Sequence, residues 1–237
     1  MSTCYLAPMN KLFLLLFGLA TAGDLLAVSL PAYASLAYLC KPLLLLSLGL
    51  YYYRAAPHPA RLVLAALALS WLGDVLLLFQ ARQELFFMGG LVSFLAAHAC
   101  YIGAYRQHQW PGPGRALGWR MGVGLPVVVA GLALLSALSP GLGPLRLPVL
   151  GYAVVLVLMV LVATYRAGRT TAGSFALVSA GAALFMGSDS LLALDKFLEP
   201  LPGAGFWVML TYCAAQLSIV AGLLAHERAV GPARRVA

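Results

Sequence analysis

Long apolar stretches alternate with short polar connections along the whole chain. Each stretch is about 20 residues long, which at a rise of about 1.5 Å per residue matches a bilayer hydrocarbon core of about 30 Å. Turn residues mark the connections, for example "WPGPG" at 110–114 and "SPGLGP" at 139–144, whereas Pro31 alone marks the first boundary. The pattern predicts about eight transmembrane helices, at residues 12–32, 33–53, 62–81, 85–105, 119–139, 146–165, 172–194 and 204–225.

Composition supports an integral membrane protein. Of the 237 residues, 62% are hydrophobic and 9% are charged, against about 25% charged residues in ordinary soluble domains. Asp24 lies inside the first apolar run, so we interpret this run as a retained helix and not as a cleaved signal peptide. We expect an all-α bundle forming one membrane domain over residues 1–237. The four scattered cysteines predict neither a disulfide framework nor a metal site.

The basic residues predict an orientation. Eleven Lys and Arg residues fall at the N-terminus, in alternate connections and at the C-terminus, whereas Arg82, Arg146 and Lys196 alone lie on the other side. This asymmetry places both termini in the cytoplasm. It also accounts for the net charge of +8 without a nucleic-acid partner.

Five ionisable residues fall inside the predicted spans: Asp24, Lys41, Asp74, His98 and Asp189. A charge at the bilayer centre costs about 2.5–3.5 kcal/mol on insertion scales, so such residues usually pair or function. A small residue precedes each aspartate and leucines follow, in "GDLLA" at 23–27, "GDVLL" at 73–77 and "SDSLL" at 188–192. Small residues beside a polar one let helices approach closely.

Several roles remain open for these residues. Asp24 could pair structurally with Lys41 or belong to a site, and His98 could be a helix-to-helix hydrogen-bonding residue or a catalytic one. Asp74, Asp189 and Lys41 could share one level on the non-cytoplasmic side of the midplane. Two acids against one base leave a carboxyl uncompensated, which favours a functional role for Asp74 and Asp189. The charged residues at the outer end of helix 7 are expected to be solvated: Asp195, Lys196 and Glu199.

Motifs in order along most of the chain resemble one known family. They are "KPL" at 41–43, "GDVLL" in helix 3, the G-x3-F-x3-H-x2-Y pattern at 90–101, Tyr152, "GAALFMGSD" at 181–189 followed by "LALDKF", and "YCAAQ" at 212–216. The chain is thereby similar to the YhhN-like lysoplasmalogenases, eight-helix membrane enzymes that hydrolyse the vinyl ether bond of lysoplasmalogens. Asp195 departs from the family at a helix end, where Asn is often expected.

The resemblance implies a hydrolase with two catalytic carboxylates, Asp74 and Asp189. Cleavage of a vinyl ether needs an acid that is protonated near neutral pH and a second carboxylate that stabilises the cation or activates water, as in glycosidases. Lys41 is expected to bind the substrate phosphate. Further substrate-binding candidates are Asp24, His98, Tyr101, Tyr152, Ser188, Tyr212 and Gln216.

A zinc-dependent hydrolase and a transporter are the competing functions. Of the histidines His58, His98, His108 and His226, only His98 lies in a predicted span, so no three-histidine zinc site and no cofactor is expected. A proton-coupled transporter is the main alternative, although no broken-helix pair or inverted repeat is visible. The expected partner is a lysophospholipid that enters from the non-cytoplasmic half of the membrane, with the protein a monomer or homodimer. A bacterial cytoplasmic membrane is favoured, or the endoplasmic reticulum in a eukaryote.

Overall fold

The computed structural model describes residues 6–230, which form eight long helices and contain no strand. All eight are long and apolar enough to cross a membrane, which confirms the predicted all-α polytopic architecture. The helices are α1 (Leu6–Ser29), α2 (Ala37–Ala55), α3 (Arg61–Leu78), α4 (Glu84–Gln107), α5 (Leu117–Leu138), α6 (Arg146–Thr164), α7 (Ala172–Phe197) and α8 (Ala204–Val230).

The first and last boundaries differ most from the sequence prediction. Helix α1 ends at Ser29, and a short 3-10 helix, Pro31–Leu36, precedes α2, so the turn that Pro31 marks is longer than expected. Proline suits the first position of such a helix because its missing N–H has no partner to lose there. At the other end, α8 continues to Val230, which brings His226 and Glu227 into the helix.

The chain divides into two compact units, and the division falls between Tyr101 and Ile102 within α4. In the first unit, α1 packs on α2 and α2 on α3. The Trp71 indole N–H of α3 donates a hydrogen bond to the Pro42 carbonyl oxygen of α2, at 2.9 Å. Gly73 makes room for the ring of Phe94 on α4, because a Cβ there would lie 2.6 Å from that ring. These two contacts fix the central part of α3 against both of its neighbours.

In the second unit, α7 and α8 pack most closely. A Cβ at Gly181 would lie 2.9 Å from the Ala215 carbonyl oxygen, and one at Gly222 would lie 3.0 Å from the Val178 nitrogen. Glycine is therefore required at both crossings, because backbone cannot move aside as a flexible side chain can. A smaller apolar cluster joins α5, α6 and α7 at one end of the unit, around Leu138, Leu142 and Val149.

Helix α5 presents an apolar stripe outward. The stripe is formed by Leu117, Met121, Leu125, Val129 and Leu132, each more than half exposed. Spacings of three and four residues place them on one face of the helix. Large apolar side chains exposed along a whole face are typical of a surface in contact with lipid, as expected for a membrane-spanning helix.

Candidate active site

Each of the three aspartate motifs places its small residue at a helix contact. A Cβ at Gly23 would lie 2.6 Å from the Cys40 sulfur, and Gly73 packs on Phe94. In the third motif, the Ser188 hydroxyl donates to the Val208 carbonyl oxygen of α8, at 2.9 Å. The local design expected from sequence is therefore present: beside each acid, a small residue lets a neighbouring helix approach closely.

Asp24 is fully buried in the first unit, on α1. Neither of its carboxylate oxygens has a hydrogen-bond partner within residues 6–230. Lys41 on α2 lies near enough for its charge to act on this carboxyl, but the two side chains form no hydrogen-bonded ion pair in the described part of the chain. Buried polar atoms without partners are rare in proteins and call for an explanation. A structural pairing with Lys41 and a place in the site both stay predictions for Asp24.

Asp74 is buried on α3, one turn after Ser70. The Ser70 hydroxyl is also buried and has no hydrogen-bond partner among the described residues. Sequence reasoning missed Ser70, although its spacing of four residues from Asp74 places both on one helix face. Because the Trp71–Pro42 hydrogen bond joins α3 to α2 here, Asp74 and Lys41 each lie within about one helical turn of this crossing.

His98 and Tyr101, the candidates from α4, are fully buried in the first unit. They lie three residues apart, so they share one face of the helix. The same face continues from Phe94, whose ring contacts Gly73 next to Asp74. The predicted pattern on α4 therefore corresponds to a buried helix face that packs against the Asp74 region of α3.

Asp189 has the best-defined geometry of the predicted site residues. The Tyr152 hydroxyl of α6 donates a 2.6 Å hydrogen bond to its Oδ2. A short bond from a phenol to a carboxylate is a strong, charge-assisted type. It holds the carboxyl group in one orientation. The structure therefore gives Tyr152, a substrate-binding candidate from sequence, a direct contact with Asp189.

The remaining candidates line the contact between α7 and α8 in the second unit. Tyr212 is buried and packs edge-on against the Phe185 ring, with centroids 5.4 Å apart. Gln216 is fully buried one turn further along α8. Ser188 is buried, and its hydroxyl hydrogen is committed to the Val208 carbonyl oxygen. Asp74 and Asp189 belong to different units, so their pairing at one depth stays a prediction.

A buried polar cluster was missed by sequence reasoning, which placed His108 in a loop and His226 at a helix end. His108 Nε2 lies 2.8 Å from Glu227 Oε1, and its Nδ1 lies 2.7 Å from the Ala104 carbonyl oxygen. Both ring nitrogens of His108 therefore lie within hydrogen-bond distance of an oxygen atom. His226 Nδ1 lies 2.8 Å from the Thr170 hydroxyl. His108 lies just after α4 and His226 near the end of α8, as the sequence indicated, but both side chains are buried.

The histidines do not assemble a metal site in the described residues. Within residues 6–230, no group of three His, Cys, Asp or Glu side chains could hold an ion. His108 and His226 are neighbours, with ring centroids 5.9 Å apart, but their hydrogen bonds go to different partners.

These features define an integral, multi-pass membrane protein of eight helices, with carboxyl groups buried at small-residue helix contacts. Comparison with known proteins gives the family. The YhhN family profile matches residues 36–223, which is most of the chain. The chain belongs to the YhhN family. No solved structure matches it.

Relatives with similar sequences come from animals and bacteria. Human "Lysoplasmalogenase TMEM86B" is 32% identical over 195 residues, covering 78% of this chain and 73% of the relative. Bovine "Lysoplasmalogenase TMEM86A" is 31% identical over 206 residues, covering 81% and 78%. A "Lysoplasmalogenase" from Mycobacterium tuberculosis is 32% identical over 175 residues, covering 71% and 64%. The family resemblance noted from the sequence motifs is thereby confirmed.

Proposed function

We propose that this protein is a lysoplasmalogenase, which hydrolyses the vinyl ether bond of an alkenyl-lysophospholipid. The observation that carries the proposal is the similarity to relatives of that name over 71–81% of the chain. Intramembrane acids support it, because the reaction needs carboxyl groups at the depth of a lipid chain. The products are a fatty aldehyde and a glycerophosphocholine or glycerophosphoethanolamine.

The chemistry divides between two carboxyl groups. One, protonated, donates its proton to the β-carbon of the vinyl ether, and the α-carbon becomes an oxocarbenium ion. The second, ionised, stabilises this cation and accepts a proton from the water that adds to the α-carbon. In the last step the second carboxyl group returns its proton to the departing glycerol oxygen, and the hemiacetal hydroxyl gives its proton to the first carboxylate as the aldehyde forms. Paired carboxyl groups perform this division of labour in glycosidases, and we assign it to Asp74 and Asp189.

The other candidates have binding roles in this proposal. Lys41 offers a positive charge for the substrate phosphate at a level near Asp74. Tyr152 positions Asp189 through its short hydrogen bond. Asp24, with two carboxylate oxygens that lack partners among the described residues, can accept hydrogen bonds from the glycerol hydroxyl of a lysolipid. His98, Tyr101, Ser188, Tyr212 and Gln216 supply further polar groups for the glycerol and for water.

The test is aldehyde release from an alkenyl-lysophospholipid by purified protein, beside Asp74→Asn and Asp189→Asn. The isosteric amides can neither donate the proton nor accept one as carboxylates do. We expect activity in the parent and a loss of at least about a hundredfold in each variant, the lower range for removing a general acid or base. Asp195→Asn is the matched control at the end of α7. Asp195 accepts a hydrogen bond from the Leu201 backbone N–H, which the amide oxygen of Asn can also accept, and it has no role in the proposed reaction.

The outcomes separate the function from its mechanism. A folded parent that releases no aldehyde would reject the proposed function. Activity that survives in both folded variants would keep the function and reject the two-carboxylate mechanism. The transporter alternative has no support from the relatives, and none of the contacts described above favours it.

A further inference from the structure

In the second unit, arginines are concentrated after α4, at the start of α5 and after α6, and these segments contain no Asp or Glu. Residues 85–188 contain no Asp or Glu, but they include Arg115 after α4, Arg120 in the first turn of α5, and Arg166 and Arg169 after α6. We call these four residues the arginine cluster. Glu227 is the acidic residue that the structure brings to this end of the unit, and its Oε1 is bonded to His108.

Hydrogen bonds hold the two connections together. The Trp110 backbone N–H donates to the Arg169 carbonyl oxygen at 2.7 Å, and Arg169 Nε donates back to the Trp110 carbonyl oxygen at 3.1 Å. Arg166 donates from Nε and Nη2 to the His108 carbonyl oxygen, at 3.1 and 2.7 Å. These bonds fix Arg166 and Arg169 against the connection after α4, so a ligand would not have to order these two residues.

Two glycines let the arginine side chains converge. Gly114 and Gly168 have positive φ angles of 66° and 77°, which favour glycine. A Cβ at Gly114 would lie 2.8 Å from Arg120 Nη2 and 3.1 Å from Arg169 Cδ. A Cβ at Gly168 would lie 3.9 Å from Arg115 Nε. Three guanidinium-bearing side chains thus meet around two turns.

Some of these guanidinium groups have unused donors. Arg166 Nη1 and Arg120 Nε are buried and have no hydrogen-bond partner within residues 6–230. In the same range, none of the four arginines forms an ion pair. Burial lowers the pKa of Arg166 to about 10, so this guanidinium is still charged at neutral pH. Arg166 is fully buried and contributes positive charge from within the protein, whereas Arg115, Arg120 and Arg169 are partly or fully exposed and can donate N–H groups to a phosphate.

The surroundings of the cluster match the membrane–water interface. Trp110 and Trp119 flank Arg115 in the sequence, and tryptophan is enriched at the level of lipid head groups. Leu117 and Met121, at the start of α5, are exposed and begin the apolar stripe of that helix. A phospholipid lying along α5 would bring its phosphate to the level of the arginines.

We propose that the arginine cluster is a binding site for the head-group phosphate of an anionic phospholipid of the surrounding bilayer. Basic residues near a membrane surface attract anionic lipids by about 1 kcal/mol each. Here Arg115, Arg120 and Arg169 converge on two turns, so binding is specific to this site and exceeds the general attraction of a basic surface. Arg166 and Arg169 precede α7, whereas Asp189 lies 17 residues after the start of that helix at Ala172, and the proposal does not depend on the proposed reaction.

The experiment measures lipid affinity of the purified full-length protein in neutral detergent. Short-chain dihexanoyl-phosphatidylglycerol, dihexanoyl-phosphatidylcholine and inorganic phosphate are titrated separately, and the thermal unfolding midpoint is followed. We expect the midpoint to rise with phosphatidylglycerol and to change little with the other two. Arg115→Gln removes an exposed side chain of the cluster and should weaken phosphatidylglycerol binding about fivefold, the effect of one such charge. Arg54→Gln, at an exposed helix end in the first unit, is the matched control and should bind as the parent does.

Several results would overturn the proposal. Equal shifts with phosphatidylglycerol and phosphatidylcholine would remove the role of the anionic head group. An equal shift with inorganic phosphate would identify a free anion as the ligand and reject the lipid. Equal weakening by Arg54→Gln and Arg115→Gln would reduce the cluster to diffuse surface charge. The double variant Arg115→Gln with Arg120→Gln gives a second measurement, and unchanged affinity in a folded double variant would also refute the site.

Discussion

The hydrogen bond from Tyr152 to Asp189 yields a sharp prediction about the proposed reaction. Tyr152→Phe removes one hydroxyl and keeps the ring, so the packing of α6 on α7 should survive. The lost bond is short, at 2.6 Å, and its acceptor is a carboxyl group. Hydrogen bonds to charged groups contribute about 1.5–3 kcal/mol. If the bond holds Asp189 in its reactive orientation, that energy is lost from the transition state.

The expected effect follows from this range of energies. Since about 1.4 kcal/mol corresponds to a factor of ten in rate, Tyr152→Phe should lower kcat/KM by about 10- to 100-fold. The loss should fall mainly on kcat, because an interaction that orients a reacting group acts in the transition state more than in substrate binding. The assay is continuous aldehyde release from an alkenyl-lysophospholipid, over a range of substrate concentrations in mixed micelles.

Tyr165→Phe provides the matched control. Its hydroxyl donates to the Arg120 carbonyl oxygen at 3.3 Å, at the C-terminal end of the same helix, and no carboxylate is involved. This control should retain kcat/KM within about twofold, because a longer bond to a neutral carbonyl contributes little net energy. A folded Tyr152→Phe protein with the kinetic constants of the parent would refute the positioning role. A rise in KM alone would show that Tyr152 binds substrate without orienting Asp189.

Two further predictions concern stability in detergent. Gly181→Ala should destabilise the protein by about 1–3 kcal/mol, because the new Cβ would clash with the backbone of α8. Gly187→Ala is the control: its Cβ would lie in open space on the same helix, so this variant should be neutral or stabilising. Thermal unfolding that ranks the two variants the other way would contradict this prediction. Glu227→Ala should destabilise the protein by about 1–3 kcal/mol, because it leaves a buried ring nitrogen of His108 without its hydrogen-bond partner. Glu199→Ala, at an exposed position, is the control, and equal unfolding midpoints for the two variants would show that the pair contributes nothing.

The aspartates were identifiable from sequence because placing a carboxylate inside the bilayer has a high free-energy cost. A carboxylate within an apolar run of about 20 residues is expensive wherever the helix lies, so Asp24, Asp74 and Asp189 stood out before any packing was known. The glycine or serine before each acid likewise indicated a close helix contact, and the contacts of Gly23 with Cys40 and Gly73 with Phe94 bear this out. The number of helices followed from length and hydropathy alone, since each span must cross the same thickness.

The tertiary structure determines the hydrogen-bond partner of each polar side chain, because the partner depends on which helices are neighbours and how each helix is rotated. Nothing in the sequence joins Tyr152 to Asp189, 37 positions away, or His108 to Glu227, 119 positions away. The same holds for the Arg115, Arg120, Arg166 and Arg169 cluster, which the sequence presents as ordinary positive charges of two connections. Hydropathy determined where the chain enters and leaves the membrane. Side-chain packing and two glycine turns determined which of its polar groups meet.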